Sequence, residues 1–113
     1  MKISLYLSII LTLISNSSFA ARVDATGEIG DIRYHVKEGT LAPSWNKTVW
    51  FQLINSNKSF CTDNKISIKD GDDVAVSMLL AAKMANKKVL VTLEDTIKYP
   101  AGRYCLLQYI TIK

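Results

Sequence analysis

Cys61 and Cys105 are the only cysteines among 113 residues, and they lie downstream of a segment that reads as an export leader. Lys2 supplies a positive start. Residues 3–14 are apolar except for Ser4, Ser8 and Thr12, and Ser18, Phe19 and Ala20 give the small-x-small pattern of a cleavage site. A run this short does not span a bilayer, and no later run is longer, so no membrane insertion is expected. Residues 1–20 therefore read as a signal peptide and residues 21–113 as one domain, exported to the periplasm or secreted by a bacterium. In an oxidising compartment two cysteines read as one disulfide rather than a metal or redox site. Such a bridge would span 44 positions. In the chain-entropy account that contributes about 4 kcal/mol at most, a large share of the net stability of so small a domain.

Charge narrows the partners. The formal net charge is +4, but the lysines are scattered and only Lys87 and Lys88 are adjacent. No basic stripe is interleaved with aromatics, so nucleic acid is a poor partner. Solvated surface cations account for the balance.

Hydrophobic periodicity gives an order of elements. Residues 26–36 alternate as a strand, with Ile32, Tyr34 and Val36 on one face; Ile29 is out of parity, and Gly27 and Gly30 around it suggest a bulge or bend. Residues 39–46 form a loop and residues 49–54 a second strand. A short third strand spans 65–69, where Lys65, Ser67 and Lys69 mark a wet face. Asp70, Gly71, Asp72 and Asp73 turn the chain and cap a helix over 73–86. A fourth strand covers 89–94, a loop with Pro100 and Gly102 covers 96–103, and a fifth strand covers 104–112. Five strands with one helix between the third and fourth make an all-β chain with the connectivity of an OB-fold, a five-stranded Greek-key barrel. An open α+β sheet with one helix on its face is the alternative.

The helix is more apolar than one small barrel requires. Val74, Met78, Ala81, Ala82 and Ala85 form one stripe at 100° per residue, and Val76, Leu80 and Met84 form a second. Either the barrel buries both, or the second stripe is a subunit interface, and a homo-oligomer is the reading adopted. The fifth strand is also apolar on both faces, with Cys105, Leu107 and Tyr109 on one and Leu106, Ile110 and Ile112 on the other.

Parts for catalysis are missing. The single histidine, His35, sits on a strand, no nucleophile elbow surrounds a serine, and neither a metal-ligand spacing nor a phosphate loop occurs. Glu94 and Asp95 read as a solvated turn. The expectation is a binding protein without catalysis, metal or cofactor. Trp45, Trp50, Tyr34, Tyr99, Tyr104 and Tyr109 supply flat apolar surface with polar edges, suited to stacking on sugar rings. Most of these read as core, Tyr34 and Tyr109 included; Trp45 and Tyr99, in loops beside Pro43 and Pro100, are expected to be exposed.

Residues 77–94 (SMLLAAKMANKKVLVTLE), with Cys105 and the sequence YITI over 109–112, resemble the C-terminal half of the receptor-binding B subunits of bacterial A-B-pentamer toxins, in the subtilase cytotoxin and pertussis-like branch. Phe60 and Cys61, just after the second strand, fit the same pattern. The resemblance covers about residues 27–112 and lies in pattern and spacing. It implies an OB-fold, a ring of five copies with helices at the pore, a glycan-binding face and a toxin A chain as possible partner. In that family a serine early in the first strand and a tyrosine late in the fourth hold sialylated glycans. Here Ala25 and Thr26 occupy the first place and Leu93 the second; Thr26 keeps a hydroxyl, whereas Leu93 has no phenol. By resemblance Thr26, with Asp24 beside it, is the expected ligand contact, and by chemistry Trp45. The rival expectation is a periplasmic protein-interaction or inhibitor module on the same fold, without glycan binding.

Overall fold

The computed structural model describes residues 22–100 and 102–113. The leader assigned to residues 1–20 lies outside the described residues. The elements run β1 (Arg22–Tyr34), a single 3-10 turn (Pro43–Trp45), β2 (Val49–Ile54), β3 (Lys65–Ile68), helix α1 (Asp73–Met84), β4 (Val89–Lys98) and β5 (Cys105–Ile112). The chain is thus mostly β, with one helix between β3 and β4 as its residue pattern predicts.

The sheet closes on itself in the order β1-β2-β3-β5-β4, with β4 returning to β1. All ladders are antiparallel except the short β3–β5 contact, where Ile66 faces Cys105 and Ser67 faces Leu106. β1 is shared: its first half, Arg22 to Gly27, pairs with β4, and its second half, Glu28 to Tyr34, pairs with β2. It starts four residues before the expected strand and ends two before it, because pairing with β4 extends it backward. The register slips between Ile29 and Ile32, across Gly30 and Asp31. Gly27 has a different task, since a Cβ there would stand 2.7 Å from the Ile54 carbonyl oxygen and 2.9 Å from Leu53 Cγ. The two strands approach so closely that only hydrogen fits.

Inside the sheet, Ala25, Ile29, Phe51, Leu53, Ile66, Ile68, Val89, Val91 and Leu93 are buried, with Leu79 from the helix. Cys61 and Cys105 form a disulfide, with Cα atoms 6.0 Å apart, that ties the segment after β2 to the start of β5. α1 is capped at both ends. Asp72 accepts a hydrogen bond from the Ala75 amide at 3.2 Å. At the other end Asn86 takes φ +54°, and the amides of Asn86 and Lys87 donate to the carbonyls of Lys83 and Ala82, a Schellman closure with asparagine in the left-handed position.

Several expectations are corrected. The inward stripe of α1 is Ala75, Leu79 and Ala82, which shares Ala82 alone with the expected Val74, Met78, Ala81, Ala82 and Ala85. Alanines at two of the three contact positions let the helix axis approach the sheet. Val74 is 72% exposed, Leu80 44% and Met84 88%; Val76 packs against the core from its margin. Ser67 is buried rather than wet, and its hydroxyl bonds the Cys105 carbonyl at 3.3 Å. β4 runs to Lys98, so Glu94 and Asp95 lie in a strand and not in a turn. The β4–β5 register shifts between Thr92 and Leu93, where the facing residues jump from Tyr109 to Leu107. That bulge reverses parity along β5: Leu107 and Ile110 pack on the core while Tyr109 turns outward, 61% exposed. Tyr34 is also exposed, at the end of β1.

The Gly27 contact yields a test. Gly27→Ala should lower the unfolding free energy by about 1–3 kcal/mol through overpacking against β2, seen as a reduced urea midpoint with an unchanged denaturant slope.

Candidate functional site

The outward face of β2 carries a cluster of aromatic and charged side chains. Phe51 and Leu53 point into the core, so strand alternation sends Trp50 outward, yet Trp50 is only 6% exposed and stands apart from the main core. Its cover is local. Tyr104, immediately before the bridged Cys105, meets Trp50 edge-on at 5.5 Å between centroids and Trp45 at 4.8 Å. Trp45 in turn lies 5.4 Å from the His35 ring. The Trp50 indole N–H donates to His35 Nε2 at 3.1 Å.

Cations close the remaining faces. The Arg33 guanidinium and the Lys65 ammonium each lie 5.2 Å from the centre of the Trp50 ring, and Lys65 lies 5.7 Å from Tyr104. Arg33 comes from the β1 residue paired with Trp50, and Lys65 from β3, two residues before Ser67, the partner of Trp50. Trp50 is therefore a covered platform, whereas Trp45 and Tyr104 are half-buried and keep surface at the rim.

Backbone bonds hold Trp45 in place. Its amide donates to Ala42, its carbonyl accepts from Thr48, and the Thr48 carbonyl accepts from the His35 amide at 2.9 Å. Asn46 Nδ2 pins the same loop by donating to the Gly39 carbonyl at 3.1 Å. The expected exposed loop tryptophan is thus a half-buried member of a fixed group. Desolvation, and next the charge of Arg33, push His35 below its ordinary 6.5. In the neutral ring Nε2 is the acceptor and the proton sits on Nδ1.

Asp24 and Thr26 belong to a different cluster, on the outer side of the β1–β4 ladder. Asp24 accepts from Thr92 Oγ1 at 2.6 Å and from Arg22 Nε at 3.1 Å, and Arg22 lies 5.6 Å from the Tyr109 ring. Thr26 is tied through its backbone: its amide donates to Asn57 Oδ1 at 2.9 Å and its carbonyl accepts from the Asn57 amide at 3.1 Å. The structure therefore does not bring Asp24 and Thr26 together with Trp45. Of the interface set, Leu80 and Met84 are exposed and Val76 lies at a cleft with Ile32, Val49 and Ile68. Among the described residues no group of His, Cys, Asp and Glu side chains is placed to hold a metal, and no helix is long and apolar enough to cross a membrane.

Residue reasoning missed the partnership of Trp50, His35, Arg33, Lys65 and Tyr104. Strand parity in 49–54 already set Trp50 opposite Phe51 and Leu53, which was the one available signal. Comparison with protein-family models, curated proteins and solved structures finds no match for the chain.

The Asp24 cluster gives its own prediction. The Thr92 hydroxyl, aided by Arg22, holds Asp24 below its ordinary 3.8. A depressed carboxylate stabilises the fold above pH 3.8 and loses that contribution as pH falls through its folded value. Thr92→Val should move the Asp24 carboxyl back up, read by carbon NMR titration, and make unfolding less steeply dependent on acid below that pH.

Proposed function

We propose that this chain is an exported, oligomeric binding subunit on an OB-type barrel that recognises cell-surface glycans. The strand order, the closure of β3 on β5 and the helix between β3 and β4 support the OB reading. OB barrels bind oligosaccharides and oligonucleotides on the face of strands 2 and 3 with the loops after strands 1 and 4. The observation that carries the proposal is the aromatic group at that place: Trp45 from the loop after β1, Trp50 on β2, Lys65 on β3 and Tyr104 from the loop after β4. Rigid amphipathic rings at the rim, with a cation beside them, suit the apolar face and hydroxyls of a sugar. We therefore place ligand contact first at Trp45: the Asp24 carboxylate is engaged with Thr92 and Arg22, and Thr26, held through its backbone by Asn57, lies in that separate cluster.

The disulfide fits an oxidising compartment and the export reading of residues 1–20. The exposed Leu80 and Met84 favour self-association through α1. By resemblance the assembly is a ring of five, in the manner of toxin B subunits, with a toxin A chain as possible partner. A second reading, a periplasmic protein-interaction or inhibitor module, is favoured by the cleft of about 470 Å3 beside α1, where an apolar floor of Ile32, Val49 and Ile68 is rimmed by Lys47, Lys69 and Asp72.

The test uses the disulfide-intact chain on a glycan array, alongside Trp45→Ala, with light scattering of the same samples. Binding reduced about tenfold or more in the variant, at retained secondary structure, and a mass several times that of one chain are expected. Absence of glycan binding overturns the ligand; a monomer at about tens of micromolar overturns the oligomer.

A further inference from the structure

His35 holds a position that the glycan reading leaves unused. It is the single histidine of the chain, and its Nε2 lone pair receives the proton of the most deeply covered ring of the site, Trp50. A second proton on the imidazole turns that acceptor into a donor. Two N–H groups would then face each other at 3.1 Å, and one must leave.

The surroundings make a charged His35 costly. On β1 its neighbour Arg33 lies over Trp50, and from β3 Lys65 lies over the same ring. β2 contributes the uncharged Trp50 and the 3-10 turn contributes Trp45. Tyr104, before β5, reaches the histidine through Trp45 and Trp50. In the returning loop Lys47 donates its amide to the His35 carbonyl at 2.8 Å. The turn after His35 carries Lys37 and Glu38, both exposed. The cleft on its open side is lined by Tyr34, Val36, Thr40 and Asn46 with Arg33 as its one charged group. Among the described residues the one ion pair is Arg22–Asp24, so no carboxylate is bonded to the imidazole to share an added charge.

We infer that His35 is a proton-operated latch on the aromatic site: neutral, it locks Trp50 and through Trp45 the loop after β1; protonated, it releases both. The inference rests on the glycan reading for what the site binds, but the latch itself is a property of the rings. The sign follows from the neutral form being favoured in the folded chain. The unfolded histidine takes its proton near its ordinary 6.5 and the folded one at lower pH. The latch therefore contributes fully above that value and is lost as pH falls from there through the folded value.

Three measurements on the intact chain between about pH 7.5 and pH 4.5 test it: His35 ring resonances by NMR, indole fluorescence, and affinity for the best array glycan. A one-proton transition below 6.5 shared by histidine and indole signals, with affinity weakened about tenfold across it, is expected. His35→Gln, which keeps an acceptor and cannot titrate, should flatten the indole transition, and Arg33→Gln should move the midpoint upward by removing a repelling charge. If histidine and indole titrate together while no glycan binds at any pH, the latch stands and the glycan reading falls. A histidine that titrates without any indole response, or a glycan affinity that stays level through the transition, overturns the latch.

Discussion

The division of β1 between two ladders is the constraint on which the rest of the structure depends. One strand must leave β4 at Gly27 and join β2 from Glu28 onward, and the register slip beyond Ile29 supplies the turn of direction. Without it the sheet would remain open, with β2 and β3 on one side and β4 and β5 on the other. The crossing forces β1 against the end of β2, and a hydrogen side chain at Gly27 is what that approach tolerates. The short β3–β5 contact then completes the ring of pairings, and the Cys61–Cys105 bridge stands beside it, at the place where only two residue pairs hold the closure. The covalent link thus reinforces the least extensive ladder, in addition to restricting the unfolded chain.

From this geometry the outer aromatic group follows. Closing the sheet brings the start of β5 alongside β3, one strand from β2, so Tyr104 reaches Trp50 although the two are 54 positions apart in sequence. The bridge at Cys105 fixes the backbone next to Tyr104. The loop after β1 folds back over the same strands through the His35 and Thr48 backbone bonds, and this delivers Trp45. Three elements far apart in the chain meet because the fold has one short closure there. The result is a small second core outside the main one, with polar edges and two cations.

The order of elements, the disulfide, the N-terminal cap of α1 and the need for a bend near Gly30 were legible because each depends on local chemistry: alternation, acidic residues at a helix start, glycine in a strand. The register shift between Thr92 and Leu93 was not, since the residue it leaves over, Gln108 of β5, carries no local mark of a bulge such as glycine. It carried Tyr109 outward and with it the parity expected of β5. The face of α1 was misread for a related reason. Hydrophobic weight favours Val74 and Met78, whereas the contact with the sheet is governed by distance and selects Ala75 and Ala82 around Leu79. Trp50's outward direction followed from parity, but its partners depend on contacts made only in three dimensions.

The same misreading sharpens the argument about assembly. With alanines inward, the larger apolar side chains are left outside in two separate strips. Val74, Met78 and Ala81 lie beside Ile112 of β5, and Leu80 with Met84 lies on the other flank, Leu80 entering the cleft at the end of β1. A surface helix in a lone domain keeps its outer face polar, and the only charged side chain along α1 after Asp73 is Lys83. Lys83 reaches toward β1 to donate to the Ile29 carbonyl at 3.0 Å. A two-fold dimer has use for one such strip, because the same patch serves both copies. A head-to-tail contact needs two different patches on every copy, one to give and one to receive, and when the rotation closes it makes a ring. Two unlike strips on the flanks of a single helix match the second requirement, and this favours a cyclic arrangement over a dimer in the oligomer proposed for this chain.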